Sequence, residues 1–512
     1  MKKLLYIFLM LLLAIGLIAC DEAKTEPTIP TEPTIKLNEV NPQHDIYYQI
    51  FVRSFADSNQ DGIGDIQGII EQLDYLEDLG ITALWLLPIN PSPSYHGYNV
   101  TDYYDIHPDY GTLEDFQELI DLALERDIKV VIDLVINHTS DQHPWFVSAQ
   151  ASTQSEYRDY YVWNGNTAFE SFVGGMKDLN FNNPAVVEEV KNIMDFYLEM
   201  GVHGFRIDAA KHLFEGINAT LNNSLLLLSL NAHIKNNYPN AYIVSEVFDY
   251  NYNSVADYFI GSDSVFNFHA AMTIWDKVGF GNSRFLLASN LSRAYQAFRA
   301  FNPDFIDAPF IGNHDLDRVA SMSAFQGTNG ALKLAQAMRV LLTIPGSPFI
   351  YYGDELGMKG YRYEGTNIPG YGVVYDEYRR QPFLWGDSAI TTTWLPSDGS
   401  NDMTPSLATQ MTDNASLFNQ YKEMIQIRKD NPALMYGSNF APYKEGNSNL
   451  QGYVRHYQYE SIEQAVLVLH NLSSSPIEID LPHLKIIYGS TTLEPYQTLI
   501  LEIDSALIGD YI

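Results

Sequence analysis

Four short stretches place ionisable residues just after an apolar run: Asp133-Leu-Val-Ile-Asn137-His138, Phe205-Arg206-Ile207-Asp208, Ser245-Glu246 and Asn313-His314-Asp315. A single Asp at a strand end also reads as a helix N-cap. Three carboxylates interleaved with Arg206, His138 and His314 ask for more than capping. Cleaving a glycosidic bond needs one carboxylate to attack or stabilise an oxocarbenium-like centre, and one protonated carboxylic acid to supply the leaving oxygen's proton. Arg206 stands two residues before Asp208 and shares its strand face, so a positive charge beside Asp208 suits it to be the nucleophile. Glu246 follows the apolar Tyr242–Val244 run with no basic residue beside it in the chain, which suits a raised pKa and the role of proton donor.

These residues need a frame that brings distant segments to one place. Short apolar runs recur at Ile46–Phe51, Ala83–Leu87, Val130–Ile136, Gly204–Ile207, Tyr242–Val247, Val265–Phe268, Phe310–Gly312 and Phe349–Tyr352. Amphipathic helical stretches such as Ile66–Leu79, Leu113–Arg126 and Val186–Met200 separate them. Fully apolar strands alternating with helices imply a parallel sheet covered by helices, and eight such units imply a (β/α)₈ TIM barrel. The four ionisable stretches then converge on the rim at the strands' C-terminal ends. The aromatic-rich segment from His138 to Asn183 is too long for an ordinary loop and reads as a small domain inserted after the third strand, walling one side of the cleft. After the helix Leu417–Lys429 the pattern changes to short alternating strands, an antiparallel β-sandwich domain. The expected division is barrel 42–137, insertion 138–183, barrel 184–432 and β-domain 433–512.

The N-terminus carries Lys2 and Lys3, then an apolar run from Leu4 to Ala19, the layout of a secretory signal peptide over 1–19. Leu17-Ile18-Ala19-Cys20 resembles the bacterial lipobox, which implies cleavage before Cys20 and acylation of its thiol. The alternative is an uncleaved anchor helix, for which the run is short. With the one cysteine consumed, stability must come from core and ions rather than crosslinks. Residues 20–41, with repeated Thr-Glu-Pro-Thr-Ile, read as an extended tether. The expected location is the outer face of the cytoplasmic membrane, held by a lipid on Cys20. A formal net charge of -33 excludes nucleic acid as a natural partner and leaves a neutral substrate free to bind. The 35 tyrosines exceed what cores normally recruit, and platforms for sugar rings compete with ordinary packing as the explanation.

In order and spacing, the four stretches resemble the four signature regions of the α-amylase family of glycoside hydrolases, with Asp133–His138, Gly204–His212, Ser245–Asp249 and Phe310–Asp315 as the matching segments. The resemblance covers the chain from about Asp45 onward. It implies a retaining hydrolase of α-1,4-glucans such as starch and maltodextrins. Asp208 would be the nucleophile, Glu246 the acid/base and Asp315 the carboxylate that holds sugar hydroxyls. It further implies sugar or nucleophile contacts from His138, Arg206 and His314, and a stacking ring at Tyr98 in His96-Gly97-Tyr98. Lys211-His212 resembles the pair that many endo-amylases place beyond the cleavage point, and Tyr95 stands where exo-acting α-glucosidases tend to have an Asp. Both favour an open, endo-acting cleft. Met176–Asn180 and Arg380–Trp385 resemble instead the branch with oligo-1,6-glucosidases and neopullulanases, although Lys177 replaces that branch's usual Pro. The rivals are therefore an exo-acting, α-1,6-acting or cyclodextrin-degrading enzyme and, from another class, a non-catalytic glucan-binding lipoprotein.

Asp57, Asn59, Asp61 and Asp65 alternate with other residues around Gly62, and Ile63 offers a backbone carbonyl, a donor set for a structural calcium ion. Position twelve is Gly68 rather than a bidentate Glu, which excludes an EF-hand, and an ordinary acidic turn is the competing reading. The family resemblance implies a second calcium site at Asn137, Asp178 and the His212 carbonyl. The chain is expected to act as a monomer.

Overall fold

Strands buried on both faces are mostly apolar, and Tyr47–Ile50, Ala83–Leu86, Gly204–Ile207 and Tyr242–Ser245 are each buried throughout, with Gln49, Arg206 and Ser245 as their buried polar exceptions. The computed structural model describes residues 36–281, 286–369 and 371–512. The signal peptide 1–19, Cys20 and most of the tether lie outside the described residues. Two compact units are present, Met1–Val40 and Asn41–Ile512. The first contributes one described helical turn, Leu37–Val40.

In the second unit, Tyr47–Ile50, Ala83–Leu86, Lys129–Leu134, Gly204–Ile207, Tyr242–Ser245, Ser264–Val265 and Phe349–Tyr351 form one sheet whose pairings are all parallel. Parallel bridges from Phe266 to Ala308 and from Phe310 to Phe349 insert an eighth stave and close a (β/α)₈ barrel. That stave is reduced to bridges, so the expected strand Phe310–Gly312 is shorter and begins earlier. Val265–Phe268 is likewise cut short. The Asn267 side chain accepts from the Ala270 amide and starts the helix Phe268–Ile274 there. The expected helix Ile66–Leu79 is two, Ile66–Glu71 and Leu73–Leu79, broken at Gln72, whose φ and ψ are -105° and 10°.

Register decides which residues meet. Asp133 pairs with Arg206, Arg206 with Val244 and Ile207 with Ser245, so Asp208 and Glu246 emerge together at the strand ends. Gly204 permits the close strand approach, since a Cβ there would lie 2.1 Å from the Tyr242 carbonyl oxygen. Aromatic rings fill the interior beneath: Tyr47 stacks on Phe349 at 4.2 Å, and Trp85 lies 5.0 Å from Phe266.

The insertion leaves the third strand as His138–Ser140, which pairs antiparallel with Met176–Asp178 and encloses the helix Pro144–Ala151. The C-terminal part is a five-stranded antiparallel sheet, Asn439–Pro442, Leu450–Tyr459, Ile462–Asn471, Lys485–Tyr488 and Thr498–Ile503, with a ribbon of Ile477–Glu478 and Thr492–Leu493. Leu467, Leu501, Ile479 and Leu493 share one core, which makes sheet and ribbon a small sandwich. Buried Arg455 joins it to the barrel by donating to the carbonyls of Thr343, Leu434 and Gly437.

Candidate active site

The described rim holds a cleft of about 490 Å³, lined among others by Tyr98, His138, Asp208, Glu246, Asp315 and Arg380. Its size lies within the range of small-molecule sites, about 300–1,000 Å³. Arg206 is buried at its floor. One guanidinium nitrogen lies 2.8 Å from Asp133 and 2.5 Å from Asp208, and the other 3.8 Å from Glu246. A basic group therefore does stand beside Glu246, contrary to the expectation from chain neighbours, because the strand register brings it there. Burial nevertheless pushes the Glu246 carboxyl up to about 7; Arg206 opposes this, while Asp208 and Asp315 add to it.

Ala209 carries the turn after Asp208. Its φ of 45° is left-handed, an uncommon place for a residue with a side chain, and its amide donates to Glu246 Oε2 at 2.9 Å. The two carboxyl residues are thus tied by one guanidinium and one backbone turn.

A second chain of bonds links Gln49, His314, Tyr98 and Asp133. Gln49 Nε2 donates to His314 Nδ1 at 2.7 Å. Burial first, and then Arg380 and Arg206, hold His314 well below the usual histidine range, so its ring is neutral with the proton on Nε2. That nitrogen lies 2.7 Å from the Tyr98 hydroxyl and 3.0 Å from Asp315 Oδ2, while Tyr98 donates to Asp133 Oδ2 at 3.0 Å. Tyr98 stacks parallel to His314 with ring centroids 5.7 Å apart. Gly97, at φ 85°, makes this placement possible, because a Cβ there would lie 2.8 Å from Pro88.

Of the residues singled out in the sequence, Tyr98, His138, Asp208, Lys211, His212, Glu246 and Asp315 line this cleft, with Arg206 and His314 buried behind them. His138 Nε2 lies 3.0 Å from the Tyr98 carbonyl, and Lys211 Nζ donates to the Phe248 carbonyl at 3.2 Å. Sequence reasoning missed Gln49, Phe172, Ala209, Phe248 and Asp376. Phe248 stands two residues beyond Glu246, past the strand's end, so spacing gave no signal for it. Arg380 and Asp376 form one wall with Tyr95: Tyr95 donates to Asp376 and accepts from Arg380 at 2.8 Å, while Arg380 also lies 3.0 Å from Asp376 and 3.3 Å from Asp315.

Asp57, Asn59, Asp61, Ile63 and Asp65 of the first metal candidate are not among the residues that line the cleft, whereas His212 of the second is. Asp57 accepts from the Gln60 and Gly62 amides, both at 2.7 Å, Asn59 from Asp61 and Asp61 from Ile63. Asp65 caps the helix at Gly68 and accepts from Ser58. The donors are oxygens throughout, which fits a hard cation in kind. Their side-chain oxygens already accept from the loop itself, and among the described residues no three His, Cys, Asp or Glu side chains gather as a metal cluster. At the second candidate site Asn137 donates directly to the His212 carbonyl at 2.7 Å, and Asp178 accepts from the Ser171 amide and hydroxyl. A cation there would have to displace the first of these bonds.

Comparison with known proteins agrees with this geometry. The profile of the alpha-amylase catalytic domain matches residues 49–437. Alpha-amylase 3 of Dictyoglomus thermophilum is 42% identical over 453 residues, which cover 84% of this chain and 84% of that protein. A 4-alpha-glucanotransferase of Thermotoga maritima is 32% identical over 485 residues, 88% of this chain and 99% of its own length. The crystal structure of an alpha-amylase from H. orenii matches with a TM-score of 0.78 at 36% identity, over 90% of this chain and 100% of that one. A profile match spanning more than half of the sequence, together with a relative 42% identical, establishes that the chain belongs to the α-amylase family of glycoside hydrolases.

Proposed function

We propose that the protein hydrolyses α-1,4 links of starch-like glucans with retention at the anomeric carbon, through Asp208 as nucleophile and Glu246 as acid/base. The observation that carries this reading is the shared Arg206 guanidinium, which keeps the two carboxyl groups close together. With its pKa near 7, Glu246 holds a proton for the leaving oxygen while the Asp208 carboxylate attacks the anomeric carbon. Glu246, now a carboxylate, takes the proton of the water that breaks the glycosyl–Asp208 ester. Asp315, beside His314 and Arg380, binds sugar hydroxyls, and Tyr98 offers a ring face to the same sugar.

Lys211 and His212 in the cleft favour cleavage inside chains. A second reading, cleavage at ends of short maltodextrins, draws on the hydrogen-bonded wall of Tyr95, Asp376 and Arg380, whose charged groups suit the hydroxyls of a terminal sugar. A time course on maltoheptaose separates them. Mixed products of intermediate length support endo action, glucose or maltose alone from the outset supports the second reading, and absence of any cleavage sinks both. Proton NMR of the first product reads α-anomer if retention holds.

Lipid attachment at Cys20 and an outer membrane-face location are part of the same proposal, on the strength of Leu17-Ile18-Ala19-Cys20. Among the described residues no helix is long and apolar enough to cross a membrane. A structural calcium ion at Asp57, Asn59, Asp61 and the Ile63 carbonyl is supported by its all-oxygen donor set, with Asp65 shared between ion and helix cap.

A further inference from the structure

The helix Ala219–Asn237 is apolar on two opposite faces. Leu227, Leu230 and Ile234 point inward and are fully buried. On the outward side Leu221, Leu225 and Leu228 are 56%, 50% and 41% exposed, and Ala232, next in line, is exposed too. Ile217, just before the helix, is fully exposed, and Ile260 adds a partly open side chain beside Leu228. Its neighbour Gly261 fixes Ile260 there, packing so closely that a Cβ would lie 2.4 Å from the Leu228 amide nitrogen. None of these residues lines the cleft, so sugar binding there does not account for them. A helix apolar all round belongs in an interior or an interface, and a contiguous apolar strip on a surface marks an interaction site.

Spacing and charge decide what covers it. Leu221, Leu225, Leu228 and Ala232 follow steps of four, three and four, the apolar repeat with which one helix packs against another. The flanking positions Asn222, Ser229 and Asn236 are polar and uncharged. The whole helix has no Asp or Glu and a single lysine, Lys235, whose charge is met by Asp263 at 3.1 Å. The chain carries 63 acidic against 30 basic residues, so two copies meet with least repulsion where both are neutral. A basic partner finds no carboxylate on this helix. A helix lying on a membrane sets basic residues and aromatic rings at its edges, and this one has one lysine and no Phe, Tyr or Trp. From this we infer that two copies of the protein pair through this helix, by a two-fold symmetric contact, in place of the monomer expected from the sequence. Leu221, Leu225 and Leu228 of each copy interdigitate with those of the other, with Ile217 and Ile260 at the margin.

The test is thiol crosslinking of the full chain in membranes of cells that express it, with the wild type reporting any background from Cys20, the one native cysteine. Leu225→Cys and Leu228→Cys are oxidised singly and co-expressed, which covers parallel and antiparallel pairing. Leu484→Cys, at a residue 66% exposed in the β-domain, measures chance collision. Trypsin resistance equal to the wild type certifies the fold of each variant. A disulfide-linked dimer is expected from the helix positions at least about tenfold faster than from Leu484→Cys, since a fixed contact raises the effective concentration of the thiols. Adding Leu221→Glu should slow it at least about tenfold, because pairing then buries a carboxylate in an apolar contact. Rates equal to that of Leu484→Cys overturn the pairing, and so do rates that Leu221→Glu leaves unchanged. A water-soluble maleimide then separates the remaining cases: it reacts with Leu225→Cys where the strip is bare, and does not where lipid or a different protein covers it.

Discussion

Replacing Glu246 by Gln removes one proton from the site and little else, which makes it the sharpest probe of the proposed chemistry. Burial, with Asp208 and Asp315 as neighbours, raises the carboxyl from its ordinary 4.5 to about 7 against the opposing charge of Arg206. That rise amounts to a preference for the protonated form of about 3 kcal/mol. At pH 6 it leaves about nine in ten Glu246 carboxyls protonated, against about one in thirty for an ordinary glutamate. A proton donor must hold its proton when the bond breaks, so kcat/KM on a maltodextrin should fall as pH rises through about 7. Glu246→Gln should abolish that alkaline limb and lower kcat/KM by about 10²–10⁴. With α-maltosyl fluoride, whose leaving group needs no proton, first-turnover fluoride release should be largely spared. The assay is a pH profile of both donors on both proteins. A wild-type limb near 4.5, or an equal loss on both donors in the variant, would refute the reasoning.

Asp208→Asn should lower turnover of maltoheptaose at least about a thousandfold while calorimetry still detects binding; loss of binding in a folded variant would instead make Asp208 a substrate contact. Arg455→Met leaves the carbonyls of Thr343, Leu434 and Gly437 without their donor, at about 1 kcal/mol each, so the denaturation midpoint should drop by the equivalent of about 3 kcal/mol; an unchanged midpoint would contradict that accounting. Chelation of calcium should lower the thermal midpoint of the wild type but not of Asp57→Ala with Asp61→Ala, and a chelator without effect on either protein removes the calcium proposal. Labelled palmitate should enter the membrane fraction of cells expressing the wild type and not Cys20→Ala; equal labelling would rule out that anchor.

Much of the barrel was legible because a strand buried on two faces is apolar at nearly every position, and Tyr47–Ile50 and Tyr242–Ser245 carry one polar residue each, Gln49 and Ser245. Strand ends were less legible where one polar side chain decides. Asn267 turns the sixth apolar run into a helix start, and nothing in the hydrophobic pattern distinguishes that Asn from one in a loop. Phe248 lies beyond the end of the strand Tyr242–Ser245, where strand alternation no longer states which way a side chain faces.

The sequence by itself determined which side chains could do the chemistry, in Asp208, Glu246, Asp315 and their His and Arg companions, because those types after apolar runs have few other uses together. Tertiary structure alone decided how they act on one another. Arg206 reaches Glu246 through the register of adjacent strands, Gln49 from the first strand sets the proton on His314, and Asp376 and Arg380 arrive beside Tyr95 from more than two hundred and eighty residues away. A charge or hydrogen bond acts over a few ångströms of space, and chain spacing does not state which residues those ångströms enclose.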